Sequence, residues 1–233
     1  MCRYVIHDPG NMSPWLRLLL LLLCLLRLAP GCLIKQFSAL EKTNAADKFS
    51  HCIGVRCKDG VVLGAVEMPP NTELRRLNQP RKCFFKLGCD MVCAGITADM
   101  EFITRVARDV IQSYREDYGV EISGAMLADR LSSFLYDYNS QESVRPLGIA
   151  VIIVDDSGAL HLLRSNSELR AYRACISLSN PSKDMLSFLK DQQWSELFCD
   201  EAEKKIEAFY LENKDFGPEV TVRLQQLRRS VHV

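Results

Sequence analysis

This 233-residue sequence lacks an excess of charge of either sign, cysteine pairs with metal-ligand spacing and an apolar run long enough to span a membrane. Lysine and arginine together number 29, as do aspartate and glutamate, so the formal net charge is zero. A neutral chain with 48% hydrophobic residues is typical of neither a polybasic nucleic-acid binder nor a disordered protein. The length allows one large domain or two small ones.

The sequence contains ten cysteines, but their spacing does not predict metal binding. No two of them form a C-x-x-C pair, and the four histidines are scattered along the chain. Five lie in apolar, strand-like runs, where a free thiol behaves as a small buried hydrophobe: Cys52, Cys57, Cys89, Cys93 and Cys175. We therefore predict reduced thiols, as in a cytosolic protein, with no metal and no cofactor.

A leucine-rich run near the start does not fit a cytosolic protein. Its uninterrupted apolar part, residues 18–26, is shorter than the ~20 residues of a membrane-spanning helix, and Arg17 and Arg27 flank it. Taken alone, the run has the form of a secretory signal. An uncleaved anchoring helix and flanking sequence translated from a mistaken gene model are the alternatives. We treat residues 1–33 as an N-terminal extension and residues 34–233 as a single domain.

From residue 50 the hydrophobic pattern alternates between the periods of strands and helices. Asp59-Gly60 predicts a hairpin turn with positive φ, Gly119 a helix end and Ser123 a helix N-cap. The predicted strands span residues 52–57, 61–66, 82–87, 91–95, 148–154, 160–163, 171–176 and 219–224. The predicted helices span residues 102–114, 123–138, 182–189 and 194–211. This order predicts two sheets that pack face to face, with helices on both outer sides.

Several local motifs, in this order, resemble those of proteasome core-particle subunits. The first is Ile53-Gly-Val-Arg-Cys-Lys-Asp-Gly-Val-Val-Leu-Gly64, similar to the family's G-(I/V)-K-x-K-D-G-V-V-L-(A/G). Ala94-Gly-Ile-Thr-Ala-Asp99 resembles A-G-L-x-A-D, and Val144-Arg-Pro-Leu-Gly148 contains a form of R-P-(F/L)-G. The resemblance extends from about Gln36 to Leu224. It implies an α+β fold, the four-layer αββα sandwich of two antiparallel sheets flanked by helices that N-terminal-nucleophile hydrolases share.

The family contains two classes of subunit, and the resemblance favours the α-type, which has no catalytic residue of its own. Gln36-Phe-Ser-Ala-Leu-Glu41 matches, with one residue lost, the helix signature that precedes the first strand of α-type chains. The implied function is a divergent outer-ring subunit that gates substrate entry and docks activators in ubiquitin-dependent protein degradation. The implied partners are other α-type subunits in a heptameric ring, β-type subunits and regulatory particles, in the cytoplasm and nucleus. Neither nucleic acid nor a membrane is an expected partner.

Two alternatives to an α-type subunit remain open from the sequence. In a β-type hydrolase an N-terminal threonine is the nucleophile, and Ser50 occupies the matching position here, preceded by Phe49 rather than the usual glycine. In this alignment, the position of the acid that would assist it falls at Val66 or Glu67, and the position of the base falls at Arg81 or Lys82. A diverged paralogue that no longer assembles is the other alternative.

One departure from the family pattern lies in the predicted activator pocket. In α-type chains an S-K-L-like segment supplies a lysine that binds the C-terminal carboxylate of activator tails. The matching segment here reads Thr72-Glu-Leu74, so Glu73 is expected to repel that carboxylate, while Arg75 is a candidate replacement for the cation.

Overall fold

The β1–β2 hairpin opens the part of the chain that the computed structural model describes, which comprises residues 50–67, 83–141, 144–178, 180–213, 216 and 220–228. Strand β1 is Ser50–Arg56 and β2 is Gly60–Glu67, paired antiparallel. Gly60 does not have the positive φ that the Asp-Gly pair predicts. Glycine is needed there because a Cβ would lie 2.2 Å from the carbonyl oxygen of Leu227 on the neighbouring strand.

Most of the predicted elements are present, with shifted ends. The remaining strands are β3 (Phe84–Lys86), β4 (Asp90–Gly95), β5 (Ile149–Val154), β6 (Leu160–Arg164), β7 (Leu169–Tyr172), β8 (Ala174–Ile176) and β9 (Thr221–Arg228). The α-helices are α1 (Thr97–Tyr118), α2 (Gly124–Ser140), α3 (Lys183–Asp191) and α4 (Cys199–Glu212), and Trp194–Glu196 forms a short 3-10 helix.

The strands form two antiparallel sheets, with the order β8-β1-β2-β9 in sheet A and β3-β4-β5-β6-β7 in sheet B. Because successive strand side chains point to opposite faces, Cys52, Leu63 and Ile152 fill the layer between the sheets. Ile53 and Val62 face α3 and α4 instead, and the outer face of sheet B packs on α1 and α2. The predicted αββα sandwich is therefore confirmed.

Local sequence signals set the ends of the first two helices. Gly119 adopts the left-handed conformation, with φ of 71°, and its N–H bonds to the carbonyl of Arg115, which ends α1. The Ser123 hydroxyl accepts a hydrogen bond from the N–H of Met126 at 3.2 Å and so caps α2. Both predictions are confirmed. Helix α1 begins at Thr97, earlier than the apolar stripe predicted, because its first turn is anchored through the polar side chain of Asp99.

Two segments that the sequence predicts as single elements are each divided into two in the structure. Residues 171–176 form not one strand but two, because the chain leaves sheet B after β7 and enters sheet A at β8, with Arg173 between them. Residues 194–211 form not one helix but the 3-10 turn followed by α4. The backbone N–H of Cys199 donates to the Asp59 carboxylate at 2.8 Å, so a tertiary contact sets the start of α4.

The predicted burial of the cysteines is confirmed. All seven cysteines of the described residues are buried and free: Cys52, Cys57, Cys83, Cys89, Cys93, Cys175 and Cys199. In the same part of the chain, no group of three or more acidic, histidine or cysteine side chains is placed to hold a metal. Each helix there is too short or too polar to traverse a lipid bilayer. Residues 1–33, and the helix predicted from Gln36 to Glu41, lie outside the described residues.

Candidate functional site

The first candidate site, the activator pocket at Glu73 and Arg75, lies within residues 68–82 and so outside the described residues. The second candidate, Ser50, is described in full. It is the first residue of β1 and pairs in register with Glu67 at the end of β2. The surroundings of Ser50 therefore form the site that the structure can test.

The hydroxyl of Ser50 bridges the two sheets. Its Oγ accepts a hydrogen bond from the backbone N–H of Gly95 at 2.9 Å and lies 3.5 Å from the carbonyl oxygen of the same residue. Ser50 is 4% exposed and faces the layer between the sheets. The side chain thus joins the start of β1 in sheet A to the end of β4 in sheet B.

Gly95 occupies a position that only glycine fits. Its φ is 124°, which side-chain-bearing residues rarely adopt, and an added Cβ would lie 2.1 Å from the carbonyl oxygen of Gly148. That carbonyl accepts a hydrogen bond from the N–H of Ile96 at 2.9 Å. The end of β4 is therefore held between Ser50 on one side and the start of β5 on the other.

An ion pair fixes the next segment of this network. Asp99 lies in the first turn of α1, where a carboxylate is favoured by the helix dipole. Its two oxygens accept one hydrogen bond each, both of 2.6 Å, from the two terminal nitrogens of Arg145. Oδ2 also accepts the N–H of Gly148 at 2.9 Å. Hydrogen bonding to Asp99 raises the pKa of Arg145, whose side chain is half exposed.

The structure thereby brings together two motifs that the sequence presents separately. Asp99 ends the A-G-I-T-A-D motif and Arg145 begins the R-P-L-G motif, 46 positions further along. Sequence reasoning used both motifs for the resemblance but missed their ion pair. The available signal was one charged residue of opposite sign in each motif, Asp99 four positions after Gly95 and Arg145 three positions before Gly148.

Of the acid and base positions expected beside Ser50, the structure describes only those of the acid, Val66 and Glu67. Val66 is buried and apolar, whereas the carboxylate of Glu67 pairs with the guanidinium of Arg223 on β9 at 3.0 Å. Cys83 lies 3.9 Å from the same carboxylate oxygen, and burial raises the pKa of its thiol to about 11. Arg81 and Lys82 lie outside the described residues. Arginine stays protonated in proteins, so Arg223 neutralises Glu67 but cannot accept a proton.

The neighbouring histidine is not placed to activate Ser50. His51 points to the opposite face of β1, where its Nε2 lies 2.8 Å from the hydroxyl of Tyr210 on α4. Burial lowers the pKa of His51 to about 3, so the ring is neutral at physiological pH. The same burial raises the pKa of Tyr210 well above its ordinary value. This pair belongs to the core between sheet A and α4.

A family model described as "Proteasome subunit" matches residues 49–210. This chain belongs to the proteasome subunit family. The matched region covers β1 to α4, including Ser50, Asp99 and Arg145, and the family predicted from the sequence is confirmed.

Curated relatives place the similarity among the α-type subunits of the proteasome. The chain is 39% identical to "Proteasome subunit alpha type-3" of Acanthamoeba castellanii over 131 residues. The aligned region covers 52% of this chain and 49% of the relative. It is 31% identical to "Probable proteasome subunit alpha type-7" of Schizosaccharomyces pombe, over 54% of this chain and 50% of the relative. It is 29% identical to "Proteasome subunit alpha" of Methanocaldococcus jannaschii, over 76% of this chain and 71% of the relative. The chain spans about half the length of the first two relatives.

Proposed function

We propose that this chain is a non-catalytic α-type subunit of the proteasome core particle, which acts in protein degradation by forming part of the outer ring. The observation that carries the proposal is the engagement of Ser50. Its Oγ accepts the Gly95 N–H inside the sandwich, and Phe49 precedes it where β-type chains usually have the glycine at which they are cut. An N-terminal nucleophile needs a free hydroxyl and its own amine as base. A β-type hydrolase is therefore not favoured.

Substitution of Ser50 tests the absence of catalysis. In core particles that contain the chain, Ser50→Ala should leave peptide turnover unchanged, although the buried Gly95 N–H loses its acceptor, which should cost about 1–3 kcal/mol of folding stability. Ser133→Ala, at an exposed serine of α2, is the matched control. Native gels of both variants establish that assembly is intact. A tenfold or greater loss of turnover in intact Ser50→Ala particles would overturn the proposal.

The proposed partners are other α-type subunits in a heptameric ring and β-type subunits in the next ring. The similarity to proteasome α-type subunits supports this assembly, as do large apolar side chains that remain exposed on α1 and α2. Tyr118 is 59% exposed and Tyr136 is 66% exposed. Obligate interfaces bury such residues at their centres.

Co-purification tests the assembly. A tagged full-length chain should capture both α-type and β-type subunits, and Tyr136→Glu should reduce that capture more than Asp137→Lys at the adjacent exposed position. A stable, soluble monomer that captures neither class of subunit would refute assembly and favour the diverged paralogue.

We also propose that residues 72–75 determine how strongly this subunit binds activator tails. A carboxylate at Glu73 would meet the carboxylate of an activator tail in a partly desolvated groove, and disruption of such a charge pair costs ~2–5 kcal/mol. Glu73→Lys should therefore strengthen binding of an activator C-terminal peptide, with a gain that shrinks at high salt. If Glu73→Lys has no effect while Arg75→Ala abolishes binding, Arg75 is the cation and the role assigned to Glu73 is wrong.

We also propose that residues 34–233 form the proteasome-subunit domain and that the protein acts in the cytoplasm and nucleus. The seven free, buried thiols of the described residues support a reducing compartment. N-terminal sequencing of the purified protein tests this placement. A start at or near Met1 agrees with it, whereas a start near Gly31 or Cys32 would indicate signal cleavage and secretion.

A further inference from the structure

Sheet B extends past the edge of sheet A at one margin of the sandwich. The edge strand of sheet A, β8, lies against β6, whereas β7 is the next and outermost strand of sheet B. The inner face of β7 therefore borders a cavity of about 220 Å³. We call this cavity the margin pocket, and its lining residues are Leu162, Arg164, Glu168, Arg170 and Tyr172.

Strand register places two arginines on the inner face of sheet B. Leu162 on β6 pairs with Arg170 on β7. Two positions away, Leu160 pairs with Tyr172. Both leucines belong to the layer between the sheets, and the alternation of side chains puts Arg164 on the same face as Leu162. The apolar inner face thus ends in two guanidinium groups.

The turn that joins β6 to β7 is held in place by α2. The hydroxyl of Ser132 donates to the carbonyl of Ser167 at 2.8 Å. The side-chain amide of Asn139 donates to the carbonyl of Ser165 at 2.8 Å. The turn therefore has two anchors on the helix, so the margin pocket that it borders is formed before a ligand binds.

Arg164 is the half-buried cation of the margin pocket. Its guanidinium has five N–H donors, and the structure gives it one acceptor among the described residues, the carbonyl oxygen of Leu178 at 3.4 Å. In that part of the chain no carboxylate lies within ion-pair distance of Arg164, whereas Arg170 pairs with Glu168 at 2.7 Å. Arg164 is therefore the group that an incoming anion would meet.

We propose that the margin pocket binds a carboxylate, and that this carboxylate is the side chain of Asp47. Arg164 and Arg170 carry two positive charges and Glu168 one negative charge, so the lining has a net charge of +1 that one carboxylate neutralises. The planar fork of the Arg164 guanidinium matches the two oxygens of a carboxylate. A phosphate carries up to two negative charges at neutral pH and would meet Glu168, so it fits the pocket less well.

The length of chain before β1 is what favours Asp47. Ser50 bonds to Gly95 at the end of β4, and Arg164 lies two strands further across sheet B, opposite Ala150. Two strand spacings amount to about 10 Å. Asp47 is three residues before Ser50, and three extended residues also span about 10 Å. The Asp47 carboxylate can therefore reach the margin pocket and fasten the segment before β1 to the edge of the sandwich.

A double-mutant cycle in the full chain, measured by urea unfolding, tests the proposal. Asp47→Asn and Arg164→Gln should each lower the folding equilibrium constant about fivefold, and the double variant should lose no more than either single variant. The reversed pair, Asp47→Arg with Arg164→Glu, should regain most of what Arg164→Glu alone loses. Additive losses, or no loss from Asp47→Asn, would overturn the assignment of Asp47.

Two matched variants serve as controls. Glu41→Gln removes the other carboxylate of residues 34–49, and Arg173→Gln removes an exposed cation between β7 and β8. Neither should change the folding equilibrium constant by more than about twofold. A loss from Glu41→Gln that equals or exceeds the loss from Asp47→Asn would contradict the choice of Asp47.

Sodium acetate distinguishes Asp47 from a free carboxylate as the ligand. In Asp47→Asn the pocket lacks its carboxylate, so acetate should restore stability relative to sodium chloride at equal ionic strength. Neither the wild-type chain nor Arg164→Gln should respond. Equal stabilisation of the wild-type chain would show that the pocket takes an external carboxylate, which overturns the role of Asp47.

No response of Asp47→Asn to acetate would overturn the carboxylate pocket itself. Asp47→Asn leaves every described residue unchanged, so this comparison with the wild-type chain holds even if Arg164→Gln does not fold. Since these tests use the free chain and no peptidase assay, their outcome is separate from that of the proposed function.

Discussion

The ion pair between Asp99 and Arg145 should be one of the larger single contributions to stability outside the apolar core. Two of its bonds are charge-assisted and only 2.6 Å long, and a third contact satisfies the buried N–H of Gly148. The Asp99 side chain is 5% exposed, but that of Arg145 is 46% exposed. Solvent therefore screens the guanidinium of Arg145. Most of the stabilisation comes from the buried Asp99 carboxylate and the buried Gly148 N–H that it accepts.

Asp99→Ala leaves the Gly148 N–H buried without an acceptor, which costs about 1–3 kcal/mol, and removes both bonds to Arg145. Allowing for the exposure of Arg145, we expect a total loss of about 3 kcal/mol. In a chain of this size that corresponds to a fall in melting temperature of roughly 6–12 °C. Asp99→Asn keeps an acceptor for the Gly148 N–H and for one nitrogen of Arg145 but loses the charge and the second acceptor oxygen, so its cost should be smaller, about 1–2 kcal/mol.

Urea unfolding of the purified chain, followed by circular dichroism, measures these losses. Glu101→Ala is the matched control, because Glu101 is an exposed carboxylate on the same helix and its loss should change stability by less than about 0.5 kcal/mol. An Asp99→Ala variant as stable as Glu101→Ala would refute the reasoning. So would an Asp99→Asn variant as unstable as Asp99→Ala, since the predicted difference rests on the Gly148 N–H.

Three further predictions concern single positions, each measured by urea unfolding. Gly95→Ala should cost at least ~3 kcal/mol of folding stability or prevent folding, because its Cβ would lie 2.1 Å from a carbonyl oxygen. Gly119→Ala should cost about 1 kcal/mol, because Gly119 has a φ of 71° but open space around it. Ser123→Ala removes the cap of α2 and should cost ~0.5–2 kcal/mol, against almost nothing for Ser133→Ala on its exposed surface. The pKa of His51 is about 3 in the folded chain and ~6.5 in the unfolded chain, so below pH 6.5 the unfolded state binds the extra proton. The free energy of unfolding should therefore fall by up to ~1.4 kcal/mol per pH unit below pH 6.5, and His51→Gln should flatten this slope.

The sequence predicts those parts of the fold that short-range chemistry determines. Gly119 and Ser123 set helix ends through local backbone geometry and a local hydrogen bond, so their residue types were sufficient to place them. The two-sheet sandwich followed from the order of the periodic segments and from the resemblance.

Tertiary contacts decided the features that the sequence could not predict. Nothing in residues 171–176 signals that β7 and β8 belong to different sheets, since that division depends on where β1 and β6 lie. The start of α4 at Cys199 depends on Asp59, 140 positions away. At the site, Ser50 was predicted as a strand-entry residue or a nucleophile, but its partner, the Gly95 N–H, could be identified only once both sheets were in place.

The division of strands between the two sheets has a consequence for synthesis on the ribosome. Sheet B takes all its strands from the continuous stretch that begins at Phe84 and ends at Tyr172, together with α1 and α2. Sheet A combines the earliest described strands with β8 and β9, so it stays incomplete until Arg228 has left the exit tunnel. During elongation, sheet B and its helices can form against the β1–β2 hairpin, which is already synthesised and supplies Cys52 and Leu63 to the layer around Ile152. Both edges of that hairpin stay unpaired until β8 and β9 follow, and an unpaired strand edge is a template for pairing with another chain.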